Sequence, residues 1–287
     1  MFGCFAGALL AAVVALIFLR GSGDDGGQAS SPATAQAGKR SGQTGGPDEA
    51  AADRRGGAHP DDSWVPHTGP VPILMYHVIG PAAGSEDYPG LFLDTKDFQD
   101  QVDWLADNGY TAVTLVQVQH AWYDGGTLPP KPIVFSFDDG YLGQYLYAMP
   151  ILEKKGWAGQ LNLKSEGSDL SSKQVKKMYR AGWEIASHTI SHPDLTTLDP
   201  ATLEHELVGS KEELEKDLGI DIVNFCYPAG KYDDEVIAAV RRAGYRGATT
   251  VNPGLAEKSM PFELNRIRID KGDGAESLSE KLAATGA

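Results

Sequence analysis

Two adjacent carboxylates, Asp138 and Asp139, close the apolar run Ile133-Val134-Phe135-Ser136-Phe137, and Gly140 follows them. Acids at the end of a buried strand are poorly placed for stability, so there they pair with a cation, bind a metal or do chemistry. Helix capping competes with this, because a helix is expected over 141–155, but a cap uses one aspartate and leaves the other unexplained. His188 and His192 stand four residues apart, directly after the apolar run 183–187. A single helical turn through this segment would present both imidazoles to one side. Taken alone, such a pair is as readily two polar loop residues. Beside a strand-end Asp-Asp it points to a metal. Two imidazoles and one carboxylate with open positions suit a hydrolytic Zn²⁺, and the same ligands on Fe²⁺ would serve an oxygenase.

These residues need a scaffold that delivers them to one place. Pro129, Pro130 and Pro132 bound the β-branched and aromatic run, which reads as a short buried strand, and Gly140 permits a tight turn after it. From Pro66 onward strands and amphipathic helices alternate. Strands are expected over 73–77, 111–114, 133–137, 160–163, 183–187, 222–226, 245–251 and 264–269. Helices are expected over 95–108, 141–155, 171–181, 200–217 and 233–243; Phe98, Val102 and Leu105 share one face of the first, and Leu203, Leu207 and Leu214 one face of the fourth. The β-then-α order implies a parallel sheet, and about seven units over roughly 220 residues fit a (β/α) barrel. An open doubly wound sheet is the competing architecture, although no Gly-rich phosphate loop follows a strand. In a barrel the C-terminal strand ends share one mouth, which would gather His77, Asp138, Asp139, His188, His192 and the Tyr227-Pro228-Ala229-Gly230 turn.

The 287-residue chain is 41% hydrophobic and carries a formal net charge of -14. It can bury a substantial core, and its acidity argues against a nucleic-acid surface. Cys4 and Cys226 are not expected to form a disulfide framework. Residues 2–19 carry no charged side chain and are long enough to cross a bilayer as a helix. We expect a membrane anchor (or signal peptide) over 1–20, a disordered Gly/Ser/Ala/Pro linker over 21–65 and a catalytic domain over 66–287. Such a linker reaches about 35–40 Å on average.

The stretches Phe135-Ser136-Phe137-Asp138-Asp139-Gly140-Tyr141, Ser187-His188-Thr189-Ile190-Ser191-His192-Pro193 and Tyr227-Pro228-Ala229-Gly230 resemble, in order, the first three motifs of the polysaccharide deacetylase (NodB-homology) family, carbohydrate esterase family four. Pro72-Ile73-Leu74-Met75-Tyr76-His77 resembles the opening of its poly-N-acetylglucosamine-deacetylase branch. The resemblance spans roughly residues 71–269. It implies a distorted (β/α) barrel and metal-dependent removal of acetyl groups, N-acetyl foremost, from a cell-surface or extracellular polysaccharide. It implies that Asp139, His188 and His192 hold a divalent metal, Zn²⁺ before Co²⁺ or Ni²⁺. Asp138 would be the general base toward a metal-activated water, and the backbone N–H of Ala229 would receive the oxyanion.

Three departures stand out. Cys226 occupies the position of the family's motif-three arginine, so the usual brace on the base aspartate is expected to be missing. No Asp-Trp fourth motif appears. The last histidine is His205, so the family's late general-acid histidine has no counterpart, and His77 becomes the candidate acid. Arg266 resembles an arginine found late in this branch and, with Tyr227, is a candidate for substrate contact or support. Tyr76, Tyr141 and Trp183 are candidates for a sugar groove, although aromatics beside strands more often pack in the core. The expected protein is an extracellular, membrane-tethered hydrolase with a polysaccharide substrate and no nucleic-acid partner. Competing expectations are a catalytically weakened glycan-binding module and a small-molecule amide hydrolase of the same superfamily.

Overall fold

The computed structural model describes residues 58–81 and 89–287. The anchor expected over 1–20 and the linker up to residue 57 lie outside the described residues. No helix among the described residues is long and apolar enough to cross a membrane.

In chain order the described elements begin with β1 (Val65–Pro66), β2 (Ile73–Tyr76), β3 (Val78–Gly80), β4 (Phe92–Asp94), α1 (Thr95–Asp107), β5 (Thr111–Ala112), α2 (Leu115–Tyr123), β6 (Thr127–Leu128) and β7 (Pro132–Asp138). A π-helical turn (Gln144–Ala148) runs into α3 (Met149–Glu153), followed by β8 (Gln160–Leu163), α4 (Ser172–Arg180) and β9 (Glu184–Ser187). Next come α5 (Pro200–Glu204), a second π-helical turn (His205–Gly209), α6 (Ser210–Leu218), β10 (Asn224–Cys226) and a 3₁₀ turn (Pro228–Gly230). The chain ends with α7 (Asp234–Arg242), β11 (Gly247–Pro253), β12 (Leu264–Arg268) and α8 (Ala275–Thr285).

The strands pair in parallel in the order β2-β12-β11-β10-β9-β8-β7, and β7 pairs back onto β2. The expected (β/α) barrel is therefore closed, with seven strands, and the open doubly wound sheet is ruled out. β5 adds to the start of β7.

Strand β7 shows how the sequence builds both faces. All seven of its residues are buried. Period-two alternation sends Phe135 and Phe137 outward, where they meet Tyr76, Phe98 and Trp157 under the helices. The same alternation turns Ser136 and Asp138 the other way, into the barrel. Register then aligns Asp138 with Asn162, Leu163 with Ser187, and Cys226 with Thr249, so the polar strand ends share one pole.

Helix α2 closes the opposite pole. Leu115, Val118 and Trp122 pack with Ile73, Val134 and Leu264, and Val116 N–H donates to the buried Glu184 carboxylate at 2.9 Å. This helix lies in a stretch to which no element was assigned from the sequence, and Val116-Gln117-Val118-Gln119 alternates with the period of a strand. Its capping box (Thr114 with Gln117) and its burial decide the conformation instead.

Other expectations change in detail. The helix expected over 141–155 begins as a π turn, and its N-cap is Gly143, with no side-chain cap. Neither aspartate caps it, which removes the capping account of Asp138-Asp139. A Cβ at Gly143 would lie 1.8 Å from the Ile79 carbonyl oxygen, so this turn lies backbone-to-backbone on β3. Tyr76 and Trp183 are fully buried against Phe137, which makes them core residues and not groove walls.

Candidate active site

Among the described residues, four non-glycine residues adopt positive φ: Asp139 (72°), Thr189 (68°), His192 (63°) and Ala229 (49°). Each such residue costs on the order of 1–3 kcal/mol, and such strain persists where the surroundings enforce it, commonly at functional sites. All four fall in the three sequence motifs.

The left-handed turn at Asp139 aims its carboxylate at two imidazoles. Oδ1 lies 3.9 Å from His188 Nε2 and 3.8 Å from His192 Nε2. His188 Nδ1 donates to the Cys226 carbonyl oxygen at 2.8 Å, which leaves the Nε2 lone pair facing Asp139. Burial, then the neighbouring His188, lowers the His192 pKa and favours the neutral ring a ligand needs. The ring centroids are 4.7 Å apart.

The imidazoles do not converge through a helical turn, as their spacing had suggested. The segment is a bend whose left-handed residues, Thr189 and His192, fold it back on itself. Thr189 Oγ1 accepts from the His192 N–H at 2.9 Å.

The donor set fits a divalent ion. One ligand atom from each of Asp139, His188 and His192 lies within 4.8 Å of the others. Tetrahedral bonds of about 2.0–2.1 Å place ligand atoms about 3.4 Å apart, a contraction of a few tenths of an ångström from the observed spacing. A carboxylate with two neutral imidazoles leaves open positions for water or substrate, as catalytic zinc sites do. Lys164 Nζ, 3.8 Å from the same Asp139 oxygen, adds a cation that sequence reasoning missed.

Asp138, Cys226 and His188 form a second cluster with ligand spacing, but a guanidinium fills it. Arg266 reaches from β12 across the barrel and donates from Nη1 to Asp138 Oδ1 at 2.7 Å and from Nη2 to Oδ2 at 2.8 Å. Its Nη2 also lies 3.3 Å from Cys226 Sγ. Burial pushes the Cys226 thiol up to about 12, so it stays protonated. The brace on Asp138, expected to be missing, is thus present and comes from a different strand; the small thiol at position 226 lies beside the guanidinium. Arg266 is fully buried and braces both carboxylate oxygens of Asp138.

Asn162 Nδ2 donates a further bond to Asp138 Oδ1 at 2.7 Å. Gln144, on the first π turn, donates to the main-chain oxygens of Asp138 (2.6 Å) and His77 (2.9 Å), joining the ends of β7 and β2. π turns recur at functional sites, and this one aims a side chain at two candidate residues. Burial is the largest influence on Asp138 and pushes its pKa up. The charges of Arg266 and His77 and the Arg266 hydrogen bonds outweigh it and hold the carboxyl well below the usual range. Asp138 is therefore an ionised carboxylate whose Oδ2 faces His77 Nε2 at 3.7 Å. Burial lowers the His77 pKa, and Asp138 and Asp139 oppose that. Its Nδ1 is buried with no hydrogen-bond partner.

Ala229 is exposed and is the middle residue of the 3₁₀ turn, so its N–H belongs to a first turn that lacks upstream carbonyl partners. Tyr227 is buried and donates to the Phe262 carbonyl oxygen at 3.0 Å, which anchors this turn. One signal for the missed Asn162 was present: Gln160 and Asn162 are polar at the inward positions of a buried strand.

A (β/α) barrel whose mouth sets a ligand triad beside a separately held, ionised aspartate belongs to the class of barrel hydrolases. Comparison with known proteins narrows the class. A profile for polysaccharide deacetylases matches residues 125–248. YxkH of Bacillus subtilis, a polysaccharide deacetylase by name, is 31% identical over 217 residues, covering 73% of this chain and 76% of YxkH. The poly-beta-1,6-N-acetyl-D-glucosamine N-deacetylase of Escherichia coli is 25% identical over 269 residues; the match covers 77% of this chain but only 39% of that enzyme. Among solved structures, the Streptococcus pyogenes deacetylase PplD in complex with acetate superposes with a TM-score of 0.70 at 29% identity, covering 75% of this chain and 99% of PplD. The chain belongs to the polysaccharide deacetylase family, carbohydrate esterase family four.

Proposed function

We propose that this protein hydrolyses N-acetyl groups of an extracellular poly-β-1,6-N-acetylglucosamine-like polysaccharide, using a divalent cation, zinc first, held by Asp139, His188 and His192. The observation that carries the reading is the convergence of these three donors beside a buried, ionised aspartate that Arg266 and Asn162 hold in place. The named activity of the Escherichia coli relative supports the choice of glycan. The uncharged stretch 2–19 and the linker after it support a membrane-tethered, outward-facing domain; protease added to intact cells should then remove it.

A divalent ion held by Asp139, His188 and His192 would supply Lewis acidity toward water and the acetyl oxygen. Asp138 Oδ2 takes the proton of the attacking water. Its many donors make it a weak base but keep it charged and fixed, which suits a water already acidified. Ala229 N–H donates to the acyl oxygen as negative charge builds there. His77, beside the same carboxylate oxygen, gives a proton to the departing amine. The C–N bond breaks, leaving acetate and a glucosamine amine. Arg266, Asn162 and Gln144 prevent Asp138 from turning away.

The test is acetate release from β-1,6-linked N-acetylglucosamine oligomers, with matching appearance of free amines. New reducing ends without acetate would instead indicate a glycosidase, and binding without any product would indicate a glycan-binding module. His77→Gln should lower kcat by about 10²–10⁴-fold with metal content unchanged, because a general acid contributes in this range. Wild-type turnover in that variant would remove His77 from the acid role.

A further inference from the structure

The candidate ligand loop is held from outside by one carboxylate. Glu206 is buried, with 7% of its surface exposed. Its Oε2 accepts from the backbone N–H groups of Ile190 at 2.8 Å and Ser191 at 3.1 Å, and its Oε1 accepts from Ser191 Oγ at 2.6 Å. These residues lie between His188 and His192, so Glu206 ties the middle of the segment whose two ends supply the imidazoles.

Its own backbone is unusual. Helix would run unbroken from Pro200 to Leu218 but for the π turn His205–Gly209, and Glu206 lies in that turn. Gly209 lets the turn approach the loop: a Cβ there would lie 3.0 Å from Ile190 Cδ1. One residue later, Ser210 Oγ is 2.8 Å from Ser187 Oγ, which in turn accepts from the Thr189 N–H at 3.3 Å. The π turn therefore presses a carboxylate onto a strained loop and ties the adjoining helix to the residue before His188. Thr189 and His192 are two of the left-handed residues described above, and Glu206 lies where their backbone must be enforced.

We propose that Glu206 is a positioning residue for the metal, setting the separation of the His188 and His192 Nε2 atoms through the three hydrogen bonds it accepts. The proposal rests on the reading of Asp139, His188 and His192 as metal ligands. Groups that orient ligands without touching the metal change affinity by about 10–100-fold when removed. Glu206→Gln removes the negative charge that draws in the two backbone N–H groups, and its NH₂ can only donate, so the Ser191 hydroxyl must reverse to accept from it. Zinc dissociation constants by chelator competition and the Tm of metal-free protein, both on the full chain, test the proposal. The expected result is one zinc per wild-type chain, a dissociation constant about 10–100-fold weaker in Glu206→Gln, and a smaller weakening in Ser191→Ala, which removes the Oγ bond alone. A lowered Tm with unchanged zinc affinity in both variants would overturn the proposal and leave Glu206 a stabilising contact. Wild-type protein without zinc affinity would overturn the underlying metal reading instead. Should Glu206→Gln fail to fold, Ser191→Ala decides: zinc affinity equal to wild type rejects the positioning role.

Discussion

Asp138→Asn should remove acetate release while leaving metal content unchanged. The substitution keeps shape and volume, so the barrel interior stays filled. It removes the negative charge and the lone pair that would take a proton from water, a loss of about 10²–10⁴-fold for a positioned general base. The substitution leaves the ligand atoms of Asp139, His188 and His192 as they are, with Asp139 Oδ1 still facing both Nε2 atoms. The amide NH₂ meets Arg266, which is a donor already, so some loss of Tm accompanies the loss of turnover. Parallel acetate assays and metal analysis check both halves. Retained turnover rejects the base assignment, and lost metal makes Asp138 a ligand.

The second large effect is expected at Arg266. The Arg266–Asp138 pair is fully buried and bidentate. Truncation to Ala leaves a carboxylate inside the barrel without its countercharge, and breaking a buried pair from one side costs about 3–5 kcal/mol. At about 2–4 °C per kcal/mol for a chain of this size, Tm should fall by about 6–20 °C. Lys in its place should not restore activity, because it cannot bind both carboxylate oxygens in one plane. Burial would then dominate Asp138 and push its pKa up, toward a neutral acid that cannot act as base. The pH dependence has a definite sign. The wild-type carboxyl is depressed by folding, so its stabilisation is present above the unfolded value of about 3.9 and is lost as pH falls toward the folded value. Arg266→Ala should therefore show a shallower loss of Tm on acidification than wild type. Thermal scans across pH check this; a variant with wild-type Tm and turnover would mean the pair is dispensable.

The barrel was legible because its strands are short, β-branched and separated by amphipathic helices, and the convergence of Asp139, His188 and His192 because acids and histidines at buried strand ends need a reason to be there. What was not legible is non-local. Arg266 belongs to a strand far along the chain, and only barrel closure carries it to Asp138. The family pattern sought the brace at position 226, where a cysteine now packs beside the guanidinium. The π turns that aim Gln144 and Glu206 interrupt otherwise regular helical periodicity, and no local signal in their residues marks the extra turn. The bend that brings His188 and His192 together defeated the helical reading of their spacing, because Glu206 and the surrounding hydrogen bonds enforce a backbone that Thr and His rarely choose. Trp183 and Tyr76 pack against Phe137 in the core, as aromatics beside strands more often do.

The account depends on a cation bound by Asp139, His188 and His192 and not by the neighbouring Asp138, His188 and Cys226. Anomalous scattering from zinc-loaded crystals, recorded on both sides of the zinc edge, tests this most directly. The predicted result is one peak within about 2.0–2.2 Å of an Asp139 carboxylate oxygen and of both Nε2 atoms, with Arg266 still on Asp138. A peak on Cys226 with Arg266 displaced, or no peak among the three ligands at saturating zinc, would contradict it.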